Sequence, residues 1–327
     1  MLATLAGSAH AAREAFFPHL YQDREGAITV YARGDFVDPY FATKALLAAD
    51  AAGLDVRAAA GAWIGWLLPR QLPDGRFERY CRTDSEWTAC LEADADDALL
   101  ALWLELLHTM APWHGLSPEW EQSRARAEQH LAGLRDERLG VYVISHANPV
   151  ALLMDNTEVY GALRAIARRL MFAGRWIAAH RVFAHADALE RAILEVFWSG
   201  GAGGFRISTQ LSETNEFYPD VVAQLYPAMS GMPAPTTPAE AWRHWRERHA
   251  SSWVTLEVDE FPWGLVALTA YRHGDADIAQ EWLGRAEPLR NTPRWNILEE
   301  AIYQGLAYRI DPSGIFETEL SADSFDA

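Results

Sequence analysis

Residues 93–107 read ADADDALLALWLELL: Asp94, Asp96 and Asp97 stand directly before a run that is almost wholly apolar. A helical run with no polar face is one covered on both sides, not a surface helix. The three carboxylates at its start have two readings. Aspartate caps helices and suits their positive N-terminal end. Close carboxylates also push each other's pKa apart, which is how acid/base pairs are made.

Working outward, the same pattern recurs. Strand signals are almost absent and helical periodicity runs nearly throughout, broken by glycine and proline. Apolar helices that open on acid, proline or aromatic residues are expected over 37–49, 93–107, 154–167, 216–229, 260–271 and 294–308. Pro39, Pro219 and Pro262 fall near a first turn, where proline is welcome. Amphipathic partners are expected at roughly 2–18, 55–71, 117–135, 175–198, 238–250 and 275–287. Glycine turns lie at 73–77, 138–142, 203–207 and 312–316, and the 65- and 64-residue intervals from Gly75 to Gly140 and on to Gly204 form an internal period. Six buried helices alternating with six half-buried ones predict an all-α fold, an (α/α)6 toroid built as one domain over 1–327. An open helical solenoid is the competing arrangement.

The totals narrow the function. The 327 residues are 50% hydrophobic and hold 14 tryptophans, enough for a large core. A net charge of −17, from 45 acids against 28 bases, argues against a nucleic-acid partner and an anionic membrane surface. No run of apolar residues is long enough to span a bilayer, and the N-terminus lacks a basic segment followed by a long apolar one. A soluble cytoplasmic protein is the expectation. Cys81 and Cys90 suggest neither a disulfide framework nor a zinc site, and no cofactor or metal motif appears.

In the toroid the beginnings of the inner helices gather at one end. Asp155 and Glu158 share a helical face, with Asn156 and Tyr160 beside them. Glu213, Glu216 and Asp220 form a stripe with Tyr218 and Tyr226, costly in an apolar helix unless it meets water or a ligand. Asp259 and Glu260 adjoin Trp263, and Trp295 precedes Glu299 and Glu300. Each cluster alone reads as a cap; caps do not explain the aromatic residues among them.

The stretch Ala93-Asp94-Ala95-Asp96 resembles the A-x-D-A-D helix of glycoside hydrolase family eight, whose members are inverting (α/α)6 enzymes. The whole plan resembles the six-hairpin glycosidases. The resemblance implies that Asp94 or Asp96 stands beside the sugar at the cleavage point. The family's S-E-G glutamate motif is missing, and Asp38 stands in its place, so the acid is not carried over. Asp94-Ala95-Asp96-Asp97 also resembles the D-x-D-D proton donor of class II terpene cyclases, which implies Asp96 or Asp97 as the acid.

The leading expectation is a glycoside hydrolase acting on a poly- or oligosaccharide, with bacterial exopolysaccharide among the candidates. Its catalytic carboxylates are drawn from Glu158, Asp220, Asp96 and Asp155. Glu158 is the expected acid, because apolar surroundings favour a protonated carboxyl, and Asp220 the expected base. Inversion is expected from acids on separate helices. Asp38, Tyr40, Asp94, Tyr160, Glu216, Tyr218, Trp263, Glu260 and Trp295 are the expected sugar contacts. A non-catalytic sugar-binding scaffold is the remaining alternative.

Overall fold

The computed structural model describes residues 13–310 apart from 113, 201–202, 211–215 and 234. Glu213 and the 312–316 turn lie outside the described residues. The inner helices are α1 (Pro39–Ala52), α3 (Asp96–Met110), α5 (Leu153–Phe172), α7 (Tyr226–Met229), α9 (Gly264–Arg272) and α11 (Ile297–Ile310). Each packs on the next, and α11 packs back on α1, so the ring closes. That closure decides against an open solenoid. The outer layer holds α2 (Arg57–Leu67), α4 (Pro118–Gly133), α6 (Trp176–Phe197), α8 (Pro238–Trp253) and α10 (Ala276–Ala286). Residues 13–17 of the expected outer helix 2–18 are not helical; Ala15 instead bridges to Asp55. One apolar core cluster extends from Phe16 to Leu306.

The sequence pattern explains the layers. Leu99, Leu100, Ala101, Trp103, Leu104, Leu106 and Leu107 of α3 are all buried, as an inner helix requires. In α4 only Ser123, Ala127 and Leu131 are buried, a stripe at i, i+4 and i+8.

Three expectations need correction. The fold is mostly helical but not all-α. Strands β1 (Phe36–Val37), β2 (Glu78–Thr83) and β3 (Glu86–Glu92) form an antiparallel sheet, and β4 (Trp198–Ser199) pairs with β5 (Gly204–Phe205). Asp84 and Ser85 turn the β2–β3 hairpin with positive φ, the two-residue connection that matches strand twist. Second, Cys81 and Cys90 are joined in a disulfide across this hairpin, with Cα atoms 5.7 Å apart. Third, the inner helix expected over 216–229 is broken. A wide turn over Phe217–Val221, with a cis Tyr218–Pro219 bond, precedes the short α7.

Candidate active site

The hairpin and the first turns of the inner helices build the site. Pairing of Val37 with Tyr80 sets Asp38 beside Arg79, whose Nη1 lies 4.0 Å from Asp38 Oδ2. Asp38 caps α1 by accepting the Tyr40 N–H at 3.0 Å. Burial raises its pKa to about 6, although Tyr40 and Arg79 oppose the shift; the charge of Asp94 adds to it. Asp94, exposed between β3 and α3, also acts on Asp155 and on Tyr218.

Glu158 is buried and already engaged. It is ion-paired with Lys44, and the Tyr40 O–H donates to its two oxygens at 2.9 and 3.1 Å. Lys44 Nζ also donates to the Tyr40 hydroxyl at 2.7 Å and to that of Tyr226 at 3.4 Å. Burial opposes the Lys44 charge, but Glu158 outweighs it, so the ammonium is held more tightly than in water. The expected acid is thus a carboxylate fixed by a cation and a phenol.

Asp155, one turn earlier on the same face of α5, differs. It is buried, and its Oδ2 has no hydrogen-bond partner among the described residues. Burial, then the charges of Asp97 and Glu158, raise its pKa well above the ordinary range, which favours the protonated form. Asp97 is fully buried, accepts the Ala98 N–H at 2.9 Å on Oδ1 and leaves Oδ2 without a partner among the described residues. Burial, with Glu158 nearby, brings its pKa to about 7. Asn156, between the two α5 acids, is structural: it exchanges hydrogen bonds of 2.7 and 2.9 Å with the backbone of Tyr142.

Tyr218 and Trp263 supply the aromatic face. Their rings stack at 5.3 Å and 27°, and Tyr218 is 47% exposed. Burial and the charges of Asp155 and Asp94 raise the Tyr218 pKa, so both acids act on its hydroxyl electrostatically. Trp263 adopts φ 53° just before α9, a left-handed conformation disfavoured for a bulky residue. Next to it Gly264 is required: a Cβ there would meet Glu299 Oε2 at 2.6 Å and the Trp282 ring at 2.9 Å. Glu299 accepts the Gly264 N–H at 2.8 Å, and burial raises its pKa to about 7.

Other expected residues lie elsewhere. Asp96 turns away from Asp155 toward α4, where its Oδ2 is 3.9 Å from His130 Nε2; burial raises its pKa to about 6. Tyr160 is buried beside Arg164 and Glu190, between α5 and α6, so it is not a mouth residue. Trp295 is fully buried, stacks on Trp282 at 5.9 Å and donates its indole N–H to Glu300, so it is core and not a sugar platform. Glu260 is exposed beside Tyr31. Glu216 is exposed, and its N–H donates to Asp220 Oδ2 at 3.1 Å within the 217–221 turn. Lys44 was missed from sequence; its signal is a lone lysine one turn after Tyr40 in a largely apolar helix.

The mostly helical ring is a fold shared with several solved glycosidases. Among solved structures, the chain is similar to a novel alpha-amylase from Clostridium perfringens at 11% identity and TM-score 0.59, covering 89% of this chain and 94% of that one. It is also similar to a GH63 mannosylglycerate hydrolase from Thermus thermophilus, in complex with glucose, at 12% identity and TM-score 0.55, covering 88% and 97%. A rhamnosidase from Klebsiella oxytoca with rhamnose bound matches at 12% identity and TM-score 0.56, covering 82% of this chain and 57% of that one. At such identities the likeness shows the fold alone. No family model matches the chain, and no curated protein matches its sequence. Among the described residues, no helix is long and apolar enough to cross a membrane, and no group of three or more His, Cys, Asp or Glu is arranged to hold a metal ion.

Proposed function

We propose that this chain is a glycoside hydrolase acting on a poly- or oligosaccharide, with Asp155 as the general acid. One observation carries the reading: a buried carboxyl whose Oδ2 has no partner among the described residues, with a pKa raised well above the ordinary range, at the end of the ring where Asp38, Asp94 and the Tyr218–Trp263 stack also lie. A protonated carboxyl delivers a proton to the leaving glycosidic oxygen; a carboxylate on the other side of the sugar activates water. Asp94 takes the base role here. It is exposed to solvent and acts electrostatically on both Asp155 and Tyr218, and the family-eight resemblance puts it beside the sugar. Asp220 is the competing base. Lys44, Tyr40 and Glu158 form a hydrogen-bonded cluster next to the acid. Inversion of the anomeric centre is part of this proposal, and the reading takes the chain as a single catalytic domain.

The class II cyclase alternative, with Asp97 as donor, calls for a dry aromatic cavity. Asp38, Asp94, Glu158 and Lys44 around Asp97 and Asp155 count against it.

The test is release of reducing ends from a panel of neutral and acidic glycans, with proton NMR of the first anomer formed. Asp155→Asn and Asp94→Asn are expected to abolish cleavage, while Asp220→Asn retains it. Full activity in Asp155→Asn sinks the assignment, and loss in Asp220→Asn but not Asp94→Asn moves the base to Asp220.

A further inference from the structure

A cavity of about 410 Å³ lies between the β4–β5 ribbon and α8. Trp198 and Phe205 meet edge to face at 5.0 Å on one side, and Trp245 packs on His249 at 5.4 Å on the other. Arg206, His244 and Arg248 also line it, and no carboxylate does among the described residues. This is unusual ground in a chain with 45 acids against 28 bases.

The two arginines lack carboxylate partners among the described residues. Arg246, two residues from Arg248 on α8, shows the contrast: it is ion-paired with Asp275 at 2.7 Å. Arg206 spends Nη2 on the Val196 carbonyl, which fixes its guanidinium beside the cavity. His249 titrates below its ordinary value because it is partly buried and Arg248 is near. The floor is rigid. The Phe205 N–H donates to Gln224 Oε1 at 2.8 Å, and Gln224 Nε2 donates to the Phe205 carbonyl at 2.9 Å. Gly204 leaves only 3.1 Å between a Cβ position and Gln224 Oε1, so glycine keeps the ribbon close.

We propose that this cavity binds an anionic monosaccharide unit, a pyranose-sized ring bearing a carboxylate or a phosphate. The volume falls in the range of small-ligand sites, about 300–1,000 Å³. Aromatic faces accept the C–H face of a sugar ring, and guanidinium groups pair with carboxylate and phosphate oxygens. The cavity is separate from the acidic mouth but shares a wall with it. Trp245 Nε1 donates to the Val221 carbonyl at 3.0 Å, and Phe217 packs on both Trp245 and Trp263. Binding in this cavity stands independently of the hydrolase reading.

The test is calorimetric titration of the full chain carrying Asp155→Asn, so that binding is read without turnover. The probes are glucuronate, glucose 6-phosphate, glucose and inorganic phosphate. At least one anionic sugar is expected to bind ten times or more tightly than glucose and inorganic phosphate. Arg206→Ala combined with Arg248→Ala is expected to remove that preference at unchanged melting temperature. Preference for glucuronate names the carboxylate, preference for glucose 6-phosphate the phosphate, and equal binding of the two leaves the anionic sugar as the shared determinant. Glucose binding as tightly as the anionic sugars, inorganic phosphate doing the same, or indifference to the double substitution overturns the proposal.

Discussion

Helices α5 and α11 both open with acids in an apolar inner helix, and they treat them in opposite ways. In α11, Glu300 is saturated: Arg290 donates at 2.7 and 3.1 Å, Trp295 at 2.9 Å and Gln304 at 2.9 Å. Despite burial, these donors hold its pKa below the ordinary value. In α5, Glu158 is similarly held by Lys44 and Tyr40, but Asp155 is left with a bare oxygen and a raised pKa. Buried polar groups normally find partners, since an unsatisfied one costs about 1–3 kcal/mol. A fold that satisfies one acid fully and leaves another open has placed its strain where a ligand can relieve it.

The sharpest way to break the comparison is Asp155→Asn. Cleavage is expected to fall by about 10²–10⁴-fold, the usual contribution of a general acid, whereas Glu300→Gln should leave kcat near wild type and act on stability. Steady-state kinetics on the glycan found cleaved checks both.

Next in size is Lys44→Met. It strands a buried Glu158 and is expected to destabilise the fold by about 3–5 kcal/mol. Chemical denaturation of Lys44→Met, Glu158→Gln and the double variant checks it, the double variant recovering most of the loss. A purely additive double variant would mean that the pair is not coupled.

A smaller effect belongs to Asp97→Asn. With a folded-state pKa of about 7, Asp97 contributes stability that is full below the ordinary carboxyl range and lost as pH rises through about 7. The asparagine variant is expected to melt higher than the wild type at pH 8, by about 2–4 °C for each kcal/mol regained, with little gain at pH 4. Glu300 has the opposite sign. Its depressed pKa gives stability that is present above the ordinary value and lost as pH falls through its folded-state value. Melting curves across pH should therefore show Glu300→Gln costing most near neutrality.

The smallest effect is Tyr218→Ala, which removes the exposed half of the stack on Trp263. A stacked aromatic contributes about 0.5–1.5 kcal/mol, so KM is expected to rise about 2–12-fold with kcat little changed. A kcat loss as large as that of Asp155→Asn would place the Tyr218 hydroxyl in the chemistry.

Much of the ring was legible because inner helices are apolar all round. Helices α3 and α5 begin within three residues of expectation. The hairpin was not read, although Tyr80, Trp87 and Thr88 are β-formers on either side of Asp84-Ser85, because helical periodicity on both flanks dominated the window. In the site, sequence placed Asp155 and Glu158 on one face but could not say which of them a cation would hold. That depended on Lys44, 114 residues away in the chain. Tyr160 and Trp295 failed for a related reason: helix position says where a residue starts, and packing decides which way it points.

The bridge between Cys81 and Cys90 reaches beyond the fold. Register slips between Arg79 and Tyr80, so Cys90 is the extra residue of a bulge, and the disulfide ties that bulge to the neighbouring strand. Bonds of this kind persist where thiols are not kept reduced, and they are rare in cytosolic proteins. The bridge across this hairpin does not fit the cytoplasmic expectation drawn from the sequence.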